Sequence, residues 1–356
     1  MSHPTASEGE IGTVLRLSDR ASARAWSRDA KGRDKRVILV PTMGCLHQGH
    51  ISLVRRAAAM AGEVGPAGIA IIVSIYINPT QFAPGEDLDV YPKQLKADLA
   101  ALAEVAQEVA SPGSGVEIAV FAPIAPLYSA SHETWVTVEH LQKPLCGVSR
   151  PHFFRGVATI VLKLFHILEP DDAVFGLKDF QQVRVVERMV ADLDIPCRIV
   201  RAPLVREPDG LAMSSRNTLL SQEHRKAAPA LASALLAAQS AIERGCPLPG
   251  SREDAGPPTP DDVRAFLGAA IEGSGARVDY AECVDGESLA RLGATWEAHS
   301  GWAGGEGAVK SDDGAPGVRR EVVVAVAAFF GTVRLIDNVI CRVDDGRSAR
   351  TSAEDG

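Results

Sequence analysis

The sequence has no closely spaced pair of cysteines, no long apolar run and no excess of positive charge, and each absence removes a class of function. Its cysteines, Cys45, Cys146, Cys197, Cys246, Cys283 and Cys341, are scattered singly through 356 residues. Without a C-x-x-C unit neither a zinc ribbon nor a dithiol redox centre is indicated, and the thiols read as reduced and mostly buried. The longest apolar stretches, Ile69 to Ile77 and Val322 to Phe330, fall far short of the ~20 residues that cross a bilayer. No membrane span is expected. The opening MSHPTASEGEIG has neither the basic start and apolar stretch of a secretory signal nor, with Glu8 and Glu10, the acid-poor composition of a transit peptide, so a cytoplasmic location is expected. Lys and Arg together number 37 against 45 Asp and Glu, for a net charge of -8. Such a chain is not built to coat nucleic acid, and any anionic ligand must be held by a local cluster of positive groups.

What remains is an ordinary globular composition, 46% hydrophobic and 23% charged, able to bury a sizeable core. At ~150 residues per domain the length is that of about two domains. Val37 to Val40 and Ile69 to Ile77 are continuous apolar runs of the kind buried on both faces of a parallel sheet, and His50 to Gly62 between them has helical apolar spacing. That is a βαβ crossover. Further strands are expected at Glu117 to Phe121, Ala173 to Phe175 and Arg198 to Val200, with helices over Gln94 to Ala110 and from about Lys178 to Leu193. The alternation through Leu204 predicts an α/β fold, a Rossmann-like doubly wound parallel sheet occupying residues 1–204, with ligands at the carboxyl ends of the strands. Residues 205–356 change texture. Helices are expected over Ala227 to Arg244 and Asp261 to Ile271, and strands over Val278 to Val284, Val322 to Ala328 and Thr332 to Ile336. They describe a smaller C-terminal α+β lid domain carrying the Met213 to Arg216 loop. A Gly-rich stretch between Leu292 and Val318 is too polar to build core and reads as a surface insertion. No internal repeat at a solenoid period is found.

Three segments carry chemistry. In Pro41 to His50 (PTMGCLHQGH) a buried strand turns into a helix; Gly44 and Gly49 allow close backbone approach, and the helix start offers N–H groups and a positive dipole end to phosphate. His47 and His50, three apart, face one side of the turn, where imidazoles can hydrogen-bond phosphate oxygens. A metal pair or incidental turn histidines are the alternatives. In Phe175 to Gln182 (FGLKDFQQ) another strand, glycine turn and helix start place Lys178 to reach a phosphate and Asp179 to cap the helix or bind a ribose hydroxyl. In Met213 to Asn217 (MSSRN) hydroxyls beside an arginine form a donor-rich clamp for a triphosphate, each serine giving one bond. An early H-x-G-H with a later Ser-Ser-basic loop resembles the nucleotidyltransferase superfamily that includes class I aminoacyl-tRNA synthetases, which attacks the α-phosphate of ATP.

The likeness then narrows. Val40 to Ala57, Val73 to Lys93, Arg155 to Gln182, Arg206 to Ser221 and Arg334 to Ile340 resemble, in order and over most of the chain, the pantothenate synthetases, or pantoate–β-alanine ligases. The resemblance implies condensation of (R)-pantoate with β-alanine through an enzyme-bound pantoyl adenylate, with ATP as substrate, Mg2+ accompanying it, AMP and diphosphate as products, and a homodimer. It implies an ATP site of Met43, Gly44, His47, His50, Gly176, Lys178, Asp179, Val205 through its backbone, Met213, Ser214, Ser215 and Arg216. His50 is the implied proton donor, with His47 and Lys178 beside it. Gln81 and Gln182 are the implied pantoate ligands, Gln81 also lying near β-alanine; Tyr91 and Asp98 match positions near the pantoate pocket and a magnesium-binding side.

The chain departs from the common bacterial R-P-G-H-F-R-G-V in reading Arg150-Pro151-His152-Phe153-Phe154-Arg155-Gly156-Val157. Phe153 at the usual His position cannot replace a hydrogen bond, and His152 does so only if the turn shifts. Cys45, where Ala is usual, is a small filler or a thiol with a lowered pKa. Two other functions are weighed: a related transferase that leaves the adenylyl group in its product and releases no AMP, and an inactive nucleotide-binding regulator, for which both histidines and the clamp would be unnecessary.

Overall fold

Buried β-branched runs alternating with helices produce the elements that position the site. The computed structural model describes residues 10–11, 14–63, 66–83, 85–86, 88–89, 91–110, 113–252, 254–297 and 319–344. In chain order these form β1 (Glu10–Ile11), β2 (Val14–Leu17), α1 (Arg20–Gly32), β3 (Arg36–Thr42), α2 (Gln48–Ala59), β4 (Ile69–Ile75), α3 (Leu95–Val109), β5 (Val116–Phe121), α4 (Cys146–Ser149), α5 (Phe153–Leu168), β6 (Asp172–Gly176) and α6 (Phe180–Asp192). Then follow β7 (Arg198–Ala202), α7 (Gln222–Ala227), α8 (Ala230–Arg244), α9 (Pro260–Gly273), β8 (Arg277–Asp285), β9 (Arg319–Phe330) and β10 (Val333–Asp344).

The chain divides into two compact units. The first takes the residues to Lys143, Arg150–Arg206 and Met213–Ser215, and the second takes Pro144–Ser149, Glu207–Ala212 and the chain from Arg216. The Met213 to Arg216 loop, expected in the C-terminal domain, is instead divided. Met213 donates its N–H to the Val205 carbonyl at 3.0 Å, which keeps the start of the loop with the sheet unit.

In the first unit the sheet order is β1-β2-β5-β4-β3-β6-β7. The six strands from β2 to β7 pair in parallel and only β1 is antiparallel, at the edge. The doubly wound α/β expectation holds. Strands β3 and β4 are buried on both faces, as their unbroken apolar sequence requires, and pair in register with Val40 opposite Val73. Successive crossovers carry the chain from β3 outward through β4 to β5, after which β6 returns to the other side of β3. The strand order thus reverses between β3 and β6, and in open α/β sheets such a switch point, at the carboxyl ends of the strands, is where ligands bind. Helix α5 has no counterpart among the expected elements: it is buried around most of its circumference, including Val157, Ile160, Val161, Leu164 and Leu168, and leaves only a narrow stripe of Arg155, Lys163 and His166 outside the core. The helix expected from Lys178 begins at Phe180, after a 3-10 turn over Leu177–Asp179.

In the second unit β10-β9-β8 form an antiparallel sheet. Leu231, Leu235 and Ala238 of α8 and Val263, Leu267 and Ile271 of α9 share its apolar core with Val322, Val324, Val326 and Cys341. The β9–β10 register continues to Arg319 opposite Asp344, so β10 runs well past the expected Ile336. Most of the expected Gly-rich insertion, residues 298–318, lies outside the described residues.

Candidate active site

Strand β3 ends at Thr42 and the chain must reverse into α2 within five residues. Gly44 and Cys45 do this in the left-handed region, with φ of 82° and 51°. Glycine suits the first; at Cys45 the side chain is strained, and the conformation persists because the turn is tied down. Asp98 of α3, buried to 3% exposure, accepts the Cys45 N–H on Oδ2 at 3.0 Å and the Leu46 N–H on Oδ1 at 2.7 Å. A Cβ on Gly44 would lie 2.9 Å from that same carboxylate. Thr42 Oγ1 accepts the Gly44 N–H at 3.2 Å and donates to the Ser74 carbonyl at 2.7 Å, closing the turn from the sheet side.

Within this frame the histidines cap their own helix. His47 is the N-cap of α2, and its Nδ1 accepts the Gly49 N–H at 3.1 Å. His50 Nδ1 reaches back to accept the His47 N–H at 3.4 Å. An accepting Nδ1 carries no proton, so in each neutral ring the proton sits on Nε2 and that edge is the donor. The rings lie 4.0 Å apart between centroids. A Cβ on Gly49 would come within 2.9 Å of the His47 ring, so the glycine makes room for the cap. Burial first, then the neighbouring charges of His47 and Lys178, pushes the His50 imidazole down to about 3. It is neutral at physiological pH.

Lys178 enters from the carboxyl end of β6, across the switch point from the histidines. Its Nζ lies 3.6 Å from Asp179 Oδ1, a loose pairing, and it is close enough to bear on the charge of His50. Asp179 makes no side-chain cap to α6, so of its two expected roles the cap is not taken. Gly176 has an ordinary φ, and a Cβ there would meet only Leu53 Cδ2 at 3.6 Å; the protein itself does not require glycine at this place. Ser215 Oγ donates to the Cys45 carbonyl at 3.1 Å. Its hydroxyl hydrogen is thus directed at the first turn, not outward as the expected one bond per serine requires. Arg216 is the first residue of the second unit's main stretch.

On the next strand over, the chain leaves β4 and forms a 3-10 turn over Pro79–Gln81. Gln81 is buried and its amide is oriented by Asn78, a residue that sequence reasoning missed. The Gly156 carbonyl can only accept, so the Asn78 atom 3.1 Å from it is Nδ2; the same Nδ2 donates to Gln81 Oε1 at 3.0 Å. Gln81 must then present Nε2, which lies 3.0 Å from Met43 Sδ, a weak acceptor. Gly156 permits this approach, since a Cβ would lie 2.5 Å from the Thr80 carbonyl. The available signal was the N-P-T-Q sequence itself, a polar residue before a proline turn at a strand end. Gln182 lies half-buried on the first turn of α6.

The model of the pantoate–β-alanine ligase family matches residues 16–340. The chain belongs to that family. Among its relatives, a pantoate–β-alanine ligase of Oryza sativa subsp. japonica is 44% identical over 344 residues, covering 91% of this chain and 95% of the relative. A pantothenate synthetase of Anaeromyxobacter dehalogenans is 42% identical over 324 residues, covering 90% and 96%. Of the solved structures, pantothenate synthetase from Thermus thermophilus superposes with a TM-score of 0.71 at 36% identity, covering 91% of this chain and 98% of the other. A pantoate–β-alanine ligase from Francisella tularensis, complexed with β,γ-ATP and β-alanine, gives 0.65 at 26%, covering 92% and 97%.

As a member of the pantoate–β-alanine ligases the chain departs from expectation at three places. Both Asp98 oxygens serve the backbone of the His47 turn, and among the described residues no cluster of three His, Cys, Asp or Glu could hold a metal. The donor set does not fit a protein-held magnesium, and Asp98 is a turn-holding residue. His152 is exposed and makes no cap hydrogen bond to α5, whereas Phe153 lies under the Arg150 guanidinium, 3.9 Å from ring centroid to Cζ. The turn has not shifted to bring His152 in. Burial and the Asp98 charge push the Cys45 thiol up, so it is a small filler and not an activated thiol. Tyr91 is buried with its ring edge-on to Phe82, 5.9 Å between centroids. No helix among the described residues is long and apolar enough to cross a membrane.

Proposed function

We infer that this ligase condenses (R)-pantoate with β-alanine in two steps on one site. A pantoate carboxylate oxygen attacks the α-phosphorus of ATP and the bond to the β-phosphate oxygen breaks, so that diphosphate leaves and a pantoyl adenylate stays bound. The β-alanine amine then attacks the acyl carbon, the acyl–phosphate oxygen bond breaks, and AMP departs as the nitrogen loses a proton. The observation that carries this reading is the convergence of His47 and His50, each protonated on the Nε2 edge that donates, with Lys178 at the switch point of the sheet. Charge accumulates on the α-phosphate oxygens in the first step, and preorganised donors aimed at that charge are the efficient way to lower its barrier.

His50, neutral and unable to accept another hydrogen bond at Nδ1, acts from Nε2 as a hydrogen-bond donor to phosphate. Lys178 supplies the compact positive charge. Gly176, with space that its own chain does not fill, lets the nucleotide approach the backbone, and Asp179, which does not cap its helix, takes a ribose hydroxyl. Met43, Gly44, Val205, Met213 and Ser214 complete the nucleotide site, with Ser215 aligning the loop through Cys45. Gln81, donating through Nε2, and Gln182 hold pantoate, and Gln81 is shared with β-alanine. Mg2+ enters as the partner of ATP, chelated by phosphate oxygens, as is usual for an ion that keeps several waters. The enzyme works as a cytoplasmic homodimer.

The test is product analysis. Purified protein with ATP, Mg2+, D-pantoate and β-alanine should yield pantothenate, AMP and diphosphate, and omission of pantoate should abolish all three. Diphosphate without AMP would favour the adenylyl-retaining transferase, and no turnover would favour the inactive regulator.

A further inference from the structure

We propose that Arg150 is a positioning residue for pantoate binding, holding the backbone of Gln81 through a three-sided clamp with Glu86 and Phe153. This rests on the assignment of Gln81 to pantoate. Gln81 ends a single 3-10 turn, a structure too short to satisfy its own carbonyls. Arg150 Nη2 donates to the Gln81 carbonyl at 3.0 Å. The same guanidinium is held from two further sides: Nε and Nη2 fork onto the Glu86 carboxylate at 2.8 and 2.6 Å, and one face lies on Phe153. The Arg150 side chain is only 12% exposed, and that of Glu86 25%.

The arrangement explains the chain's departure at residue 153. A phenyl ring with no donor of its own suits a guanidinium face. The ring is fixed in turn by Phe154, 4.8 Å away and edge-on, which is buried in the core on α5. Thus the α5 N-terminus, through Phe153 and Arg150, sets where the Gln81 backbone lies, while Asn78 sets which way its amide points. In this arrangement Arg150 acts on the substrate through Gln81, with Nε and Nη2 directed at Glu86 and the Gln81 carbonyl. Lysine keeps the charge but has neither the fork nor the flat face, so it cannot hold both partners at once.

The measurement is steady-state kinetics of Arg150→Lys, Glu86→Gln and Phe153→Leu, varying each substrate in turn. KM for pantoate should rise about 10- to 100-fold in Arg150→Lys, the range for a small misplacement transmitted from outside the reacting atoms, with KM for ATP changed less than about twofold. Glu86→Gln and Phe153→Leu should move the same constant in the same direction by less. The proposal is overturned if pantoate KM is unchanged in the folded variants, or if the KM values for all substrates rise together, as a merely structural role would produce. If Arg150→Lys does not fold, the two milder variants decide by the same criterion. Failure of the wild-type protein to form AMP from pantoate and β-alanine would instead strike the functional assignment.

Discussion

His50 combines two constraints that are separable by experiment. Its Nδ1 is held as an acceptor by the His47 N–H, and burial first, then the electrostatic opposition of His47 and Lys178 to a second positive charge, pushes its pKa down from 6.5 to about 3. In an unfolded chain the ring titrates near its ordinary value, so between pH 6.5 and 3 the unfolded state binds a proton that the folded state refuses. The group therefore lowers folding stability as pH falls through that window and contributes no slope above it. In an NMR titration the His50 ring resonances should stay at neutral-imidazole positions below pH 5, and saturating MgATP should raise the midpoint as phosphate charge arrives; a midpoint near 6.5 in the free protein would contradict the buried, doubly repelled environment. Replacing His50 by Ala should lower kcat/KM by at least ~100-fold with the fold intact, the scale for loss of one preorganised donor. Asp98→Asn brings an amide donor toward the Cys45 and Leu46 N–H groups; at ~1–3 kcal/mol for a buried polar group left unsatisfied, it should lower the melting temperature and raise KM for ATP more than for pantoate.

Element formation follows local pattern wherever the pattern is distinctive. Strands β3 and β4 are legible from apolar, mostly β-branched runs, and α2, α3 and α8 from helical spacing. Helix α5 is less so, because its narrow polar stripe of Arg155, Thr159, Lys163 and His166 is set in an otherwise nearly continuous apolar run. The start of α6 shifts because the residues after β6 form a 3-10 turn, leaving Lys178 and Asp179 outside the helix proper. Strand β6 also carries a structural charge at its far end. Asp172, fully buried, is paired with Arg36 and with Arg198 Nε at 2.6 Å. Asp172→Ala leaves two partly exposed arginines without this carboxylate beside the sheet, and the expected loss is about 1.5–3 kcal/mol in urea unfolding, the range for hydrogen bonds to a charged group, with kcat/KM per folded molecule retained because the site lies at the opposite end of the strand.

The whole chain is acidic, with a net charge of -8, yet its proposed ligands are anions. The local answer within the first unit is Lys178 with the N–H edges of His47 and His50 at the sheet's switch point, a place where few charges suffice because the helix start and neutral donors do much of the work. Light scattering should give about twice the 37.7 kDa of the chain; a monomer mass would refute the homodimer.

Sheet, crossovers, glycine turns and the chemical character of His47, His50 and Lys178 were all readable along the chain, because strand burial, helix periodicity and turn chemistry depend on neighbours a few residues away, whereas Gln81 came only through the family resemblance. Long-range contacts settled the rest. Asp98 reaches the His47 turn across 53 and 52 residues, Ser215 reaches Cys45 across 170, and Gly156 orients Asn78 across 78. None of these pairings leaves a periodic trace. They arise only when the crossovers bring strand ends side by side, and they decide which nitrogen donates, which carboxylate serves the backbone in place of a metal, and how far the His50 imidazole's pKa is displaced.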